Sequence, residues 1–163
     1  MRKSVKLLSV MLSVLLIVSL FSACSPNGKA IMTDTYSGFE NLALQSVTIK
    51  PDGKESASFS LKGKAEENNY VTVDLGKQTD FNTIVLKENG KKVTLFEIYA
   101  SNDKDKNYKF LYQSDCIEGG HTCFVGDASY RYLRIFVNQS SGKFKLYDIG
   151  VYNIKSKDAS SLR

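Results

Sequence analysis

Phe96-Glu97-Ile98-Tyr99-Ala100-Ser101-Asn102-Asp103 alternates apolar and polar residues at a period of two and ends on a polar turn. Successive side chains of an extended chain point to opposite faces, so this is the signature of a half-buried β-strand. Upstream, Tyr70-Val71-Thr72-Val73-Asp74-Leu75-Gly76-Lys77 repeats the pattern, with Val71, Val73 and Leu75 on one face. Phe81–Leu86 is almost continuously apolar, as in a central strand. Working outward, Val47 and Ile49 alternate within Gln45–Lys50, and Ala57, Phe59 and Leu61 alternate with Ser58, Ser60 and Lys62. Tyr108–Tyr112 and Thr122–Val125 are shorter runs. Leu133, Ile135 and Val137 alternate with Arg134 and Phe136, and Phe144–Tyr152 closes the series. Tyr70, Tyr99 and Tyr132 alternate with core positions and are read as solvent-facing strand residues. No segment has the period of a long amphipathic helix. Many short strands at regular spacing predict an all-β, antiparallel sandwich or barrel.

Two dipeptides, Asn89-Gly90 and Gly119-Gly120, mark tight turns. A two-residue turn at 119 and 120 would set Glu118 opposite His121 and Cys116 opposite Cys123. Directly opposed Cα atoms lie about 4.5 to 5.5 Å apart, within disulfide reach. The expectation is therefore a Cys116–Cys123 bridge, with His121 beside Glu118. Strand parity adds a second expectation. Consecutive antiparallel strands reverse direction, so loops 63–69, 87–92, 114–120 and 138–143 should share one end. Loops 76–80, 101–107 and 126–129 should share the other. The first end carries Asn69, Lys87, Glu88, Asn89 and Asn138, and His121 begins the strand leaving it. These amide, amine and carboxylate groups suit hydrogen bonding to hydroxyls, and these six residues are the candidate ligand contacts.

Asn41-Leu42-Ala43-Leu44, the run Tyr70–Lys77, Phe81–Glu88, Phe96–Asp103, Tyr130–Ile135 and Tyr147–Asn153 together resemble the discoidin family. This is the coagulation-factor C-type, galactose-binding-like domain, which includes the family 32 carbohydrate-binding modules. The resemblance covers most of residues 40–153. It implies a jelly roll of about eight strands and a non-catalytic module binding sugars or, in some relatives, phospholipids or proteins. It also implies ligand loops at the end identified by parity. The chain departs from the sugar-binding members in having no Trp, the usual stacking platform, and no His before the Tyr70 strand. Lys87 stands where the family has a sugar-contacting Arg, and Asn89 matches a nearby family Asn. A structural calcium is common in such relatives. Asp148 and Asp52-Gly53 match parts of its site, but the ligand set is incomplete, so no metal or other cofactor is expected.

The ends of the chain are read separately. Arg2, Lys3 and Lys6 precede the apolar run Leu7–Phe21, and small residues follow. A basic start, a short apolar segment and a small-residue cleavage site define a signal peptide, here residues 1–23. Phe21-Ser22-Ala23-Cys24 resembles the bacterial lipobox, which implies a lipid on Cys24 and a protein held on a cell membrane or outer membrane, facing away from the cytoplasm. Residues 24–39 read as a tether, 40–154 as the sandwich domain and 155–163 as a polar tail. Three of the 22 basic residues and none of the 17 acidic ones lie in the leader, leaving a net charge of only +2 beyond it. That balance, with signs interleaved as in Lys104-Asp105-Lys106, excludes a nucleic-acid track. The single histidine and the lack of a Cys-x-x-Cys pair exclude the common metal motifs. Glu66, Glu67, Glu88 and Glu118 supply carboxylates, but nothing places a pair at the separation glycoside hydrolysis needs. The chain is therefore expected to be a monomeric, non-catalytic surface lipoprotein that recognises carbohydrate. The alternatives are an envelope adhesin or subunit that contacts protein, and, less favoured, a glycoside-active enzyme.

Overall fold

The computed structural model describes residues 39–65 and 69–155. The expected signal peptide, Cys24 as the expected lipid site, most of the expected tether, Glu66–Asn68 and most of the tail lie outside the described residues. Eight strands follow in order: β1 Val47–Ile49, β2 Glu55–Ser56, β3 Leu61–Gly63, β4 Tyr70–Glu88, β5 Val93–Ser101, β6 Lys109–Ser114, β7 His121–Ser140 and β8 Phe144–Tyr152. All pairings are antiparallel, and there is no helix among the described residues. The all-β, eight-stranded sandwich expected from the sequence is the observed architecture.

Two strands belong to both layers. The first half of β4 pairs with β1 and with the second half of β7, through Val71↔Ile135 and Val73↔Leu133. The second half of β4 pairs with the first half of β7, through Ile84↔Cys123, and with β8, through Ile84↔Val151. The large sheet thus runs β2-β1-β4-β7-β5-β6, and the small one holds the other halves of β4 and β7 with β8 and β3. Val71, Val73, Phe96, Ile98, Leu133 and Ile135 of the large sheet meet Ile84, Leu86, Leu146 and Val151 of the small one in a single core. Each such side chain contributes about 1.5–3 kcal/mol by leaving water.

The sequence reads β4 as two strands separated by a turn near Gly76, and β7 as two separated near Gly126. Both are continuous instead, each with a bend. Gly76 has φ +82 and Gly126 has φ +70, values that L side chains rarely adopt. The Asp74 carboxylate accepts the Gly76 N–H at 2.8 Å and receives Arg131 of β7 in a two-pronged pair. The Nε–Oδ1 and Nη2–Oδ2 distances are 2.8 and 2.9 Å. One carboxylate therefore shapes the bend and ties it to the neighbouring strand. The ladder skips from Asp74↔Tyr132 to Thr79↔Tyr130 at this point, as a bulge requires. Tyr132 itself is buried, with Arg131 over its ring at 4.9 Å, rather than facing solvent.

Asn41 closes the domain. Its amide oxygen accepts the N–H groups of Ala43 and Val151 at 3.0 and 2.9 Å, and its amide nitrogen donates to the Ile149 carbonyl. Asn82 does the same for the outgoing chain, bonding Ile154 through both backbone groups.

The expected Cys116–Cys123 bridge is not formed. Its premise was a hairpin joining β6 to β7, but those strands are not ladder partners. β6 pairs with β5 in the large sheet, while β7 begins in the small one opposite β4. Residues 115–120 are a crossover between layers, fixed by the wholly buried Ile117. Cys123 is a free thiol with no exposed surface, and burial pushes its ionisation far up. It is a small core residue.

Two tests follow from these contacts. Asp74→Asn should cost about 1–2 kcal/mol, or roughly 5 °C in melting temperature for a domain of this size. The Arg131 pair holds the Asp74 carboxyl below its usual range, aided by the Gly76 N–H. A depressed folded value means the stabilisation is present above the unfolded carboxyl pKa of about 3.9 and is lost as pH falls through the folded value. The gap between wild type and Asp74→Asn in calorimetry should therefore be full near neutrality and shrink in acid. A gap independent of pH would refute the ion-pair account. Separately, iodoacetamide should leave Cys123 unmodified in the native protein and label it in guanidinium. A Cys116–Cys123 peptide pair in a non-reduced digest would overturn the buried-thiol assignment.

Candidate functional site

Backbone hydrogen bonds brace the loops at one end of the sandwich against one another. Ala65 N–H donates to the Ser140 hydroxyl at 3.0 Å, and Ser141 N–H to the Lys92 carbonyl at 2.8 Å. Asn89 N–H reaches the Lys145 carbonyl, Glu88 N–H the Gly119 carbonyl, and Val137 N–H the Asn69 carbonyl. Segments near 65–69, 88–92, 119 and 137–145 therefore form one cross-tied end. Asn102, Gln78 and Asp80 converge on Ser129 at the other.

The structure gives the six candidate residues different tasks. Glu88 is buried, and its carboxylate accepts the N–H groups of Lys92 at 2.6 Å and Val93 at 3.2 Å. It organises the β4–β5 turn, where Gly90 and Lys91 take positive φ angles. His121 lies half-buried with Nε2 2.9 Å from the Tyr112 hydroxyl and its ring edge-on to Phe96 at 5.5 Å. Burial holds its pKa below the ordinary value, with Asp115 pulling weakly the other way. Its neighbours are thus aromatic, and it pairs along the ladder with Leu86 rather than with Glu118. Lys87 forms an ion pair with Asp148 at 2.8 Å, which raises its pKa. Strand alternation turns Lys87 to the face opposite Leu86, hence away from His121. Asn89 and Asn138 are exposed, while Asn69 is half-exposed and donates to the Lys64 carbonyl. The loop end thus presents three amides, with Glu88 and His121 as its supports and Lys87 beside it on the small sheet.

The two carboxylates that match parts of the family's calcium site are each ion-paired. Asp148 is held by Lys87 and Asp52 by Lys54, both at 2.8 Å. No group of three or more His, Cys, Asp or Glu side chains suited to a metal occurs among the described residues.

A second surface went unread in the sequence. On the outer face of the large sheet, Phe110, Tyr99, Phe136 and Tyr70 stand in a row across β6, β5, β7 and β4. Their centroids are separated by 5.6, 5.5 and 4.9 Å in turn. Arg134 continues the row, 4.8 Å from the Tyr70 ring and 3.8 Å from that of Tyr108. Its Nε donates to the Thr72 hydroxyl and its Nη2 to the Lys104 carbonyl. Glu97 accepts the Tyr99 hydroxyl at 3.0 Å. Glu97, Tyr99, Tyr108, Arg134, Phe136 and Asn138 line a shallow depression of about 400 Å³. Alternation placed Tyr70, Tyr99, Arg134 and Phe136 on outward positions. Their convergence depends on register between strands, which a single sequence does not display.

A family model for the F5/8 type C domain matches residues 33–148. The fold is shared with a GH29 fucosidase of Ruminococcus gnavus in complex with fucose, at 17% identity and a TM-score of 0.60, covering 77% of this chain and 29% of that one. It is shared with chitosan-binding module 1 from a chitosanase/glucanase of Paenibacillus sp. IK-5, at 17% identity and a TM-score of 0.56, covering 70% of this chain and 99% of that one. The module CpGH89CBM32-6 of Clostridium perfringens is similar at 19% identity and a TM-score of 0.56, covering 71% of this chain and all of that one. The chain thus spans under a third of the fucosidase and the whole of each module, and at these identities the likeness is one of fold. No curated protein matches the chain. With the family matched over most of its length and the two-layer sandwich in place, the chain belongs to the F5/8 type C, or discoidin, domain family.

Proposed function

We propose that this chain is a non-catalytic module that recognises carbohydrate at its braced loop end, displayed outside the cell by a lipid on Cys24. The observation that carries the reading is the cross-tied end itself. Five hydrogen bonds hold segments from four parts of the chain in one arrangement, with Asn69, Asn89 and Asn138 at its surface. An amide both donates and accepts, so it matches the dual character of a sugar hydroxyl. A rigid frame lowers the ordering cost of binding. The whole-length likeness to a chitosan-binding module supports the same class of ligand. The Glu88 carboxylate is committed to backbone N–H groups, which argues against its service as a catalytic acid. Display rests on the sequence alone, through the basic start, the apolar run and Phe21-Ser22-Ala23-Cys24. The module acts as a monomer on this reading.

A shallow polar site buries little apolar area, so single-site affinity should be near a millimolar dissociation constant, about −4 kcal/mol. Many copies on one surface would raise the effective affinity. A glycan array probed with the soluble domain from Gly38 onward should give hits. Asn89→Ala should weaken them at least tenfold with no change in melting temperature, and Lys104→Ala at the opposite end should leave them intact. The reverse dependence would place recognition elsewhere. No hit on the array would remove the carbohydrate reading and favour a protein partner.

Anchoring is tested independently. Palmitate labelling in the native host should disappear in Cys24→Ala. Undiminished labelling of that variant would refute lipidation at this residue.

A further inference from the structure

The row of rings on the large sheet has no task in the reading above. Sheet faces that meet water normally carry polar side chains, yet this one exposes Phe110 by 55% and leaves Tyr70, Tyr99 and Phe136 partly open. The core does not need them, since it is closed by Val71, Phe96, Ile98, Leu133 and Ile135 on the other side of the same strands. We propose that this face is a second carbohydrate-binding surface, a platform that takes an extended, neutral oligosaccharide against the apolar surface of Tyr99, Phe136 and Phe110.

Three observations select that occupant. The rings are already ordered by contact with one another at 4.9 to 5.6 Å and by Arg134 between Tyr70 and Tyr108. Tyr99 meets Phe110 and Phe136 edge to face, at 80° and 78°, so these side chains are fixed before a ligand arrives, and their apolar surface suits the C–H groups of a pyranose. The rim is polar and mixed in sign. The Glu97 carboxylate accepts, the Asn138 amide does both, and the five-donor guanidinium of Arg134 spends only part of its capacity on Thr72 and Lys104. One carboxylate beside one guanidinium favours a neutral ligand over a polyanion. Finally, the depression of about 400 Å³ falls within the range of small-ligand sites. Protein interfaces are likewise enriched in aromatic rings and Arg, so the charge-mixed rim and the small depression, not the rings alone, are what favour a sugar here.

Arg134 and Phe136 both sit on β7, and Asn138 follows on the same outward row toward the loop end. The platform therefore leads up to the braced loops while remaining separable from them. It goes beyond the loop-end reading and does not require it.

The test titrates the soluble domain with cellohexaose and with the hexasaccharide of β-1,4-linked N-acetylglucosamine, followed by ¹H–¹⁵N NMR and calorimetry. At least one should shift amides of Tyr99, Phe110, Arg134 and Phe136. Phe110→Ala and Tyr99→Ala should each weaken that hexasaccharide at least tenfold, and Asn89→Ala should leave it unchanged. The NMR map of the wild-type protein keeps the test valid even if a ring variant unfolds. Shifts confined to residues 89–92 and 138–143, with the ring variants binding normally, would overturn the platform and leave the loop-end reading intact. Absence of binding by both hexasaccharides would overturn it as well, whatever the array reports. Concentration-dependent self-association abolished by Phe110→Ala would assign the face to a second copy of this chain and end the proposal.

Discussion

The Asp74 carboxylate sits where β4 leaves one layer of the sandwich for the other, and the remaining architecture depends on that passage. It fixes the Gly76 bend through a backbone N–H and grips Arg131 on β7, the other strand that changes layers. Without a defined bend the two halves of β4 would extend as one long ribbon, and Val71 and Ile84 would not face each other across a common core. A charged pair near the surface is ordinarily a weak contributor. Here both prongs are satisfied and the carboxylate is mostly covered, so the pair acts on geometry as well as on energy.

Most of the strand content was legible in the sequence because alternation is a local property. Phe96–Ser101 and Leu133–Val137 carry it in full, and their core positions are those found buried. The misreadings came where local pattern met tertiary context. Gly76 and Gly126 look like strand ends, yet each permits a bend within a continuous ladder. Gly119-Gly120 looks like a hairpin, and the arithmetic from it was sound for two adjacent strands. β6 and β7 meet no such condition, because the chain changes layers between them and Ile117 anchors the crossing. Ala57–Leu61, read as alternating, supplies only the short β3 at its end, and Ala57 is exposed.

The candidate site was legible as a place more than as a set of residues. Parity alone brought these loops to one end, since each bend in β4 and β7 reverses the chain as a turn would. Side-chain roles were not readable at that level. Glu88 and Asn89 are neighbours in sequence, and one is a buried support on the inward row of Leu86 while the other faces water. The aromatic row illustrates the opposite limit. Each ring was visible as an outward strand residue, but adjacency across four strands is a statement about register.

The staple made by Asn41 has a bearing on orientation. It fastens the incoming chain beside Val151, late in β8, after that strand has run from the braced loops toward the far end. Asn82 holds the outgoing chain at Ile154 in the same region. Entry and exit therefore lie together at the pole away from the loops. Anything joined to either end of the domain therefore meets it at the pole opposite the three amides, and leaves both the loop end and the ring-bearing face clear of the junction.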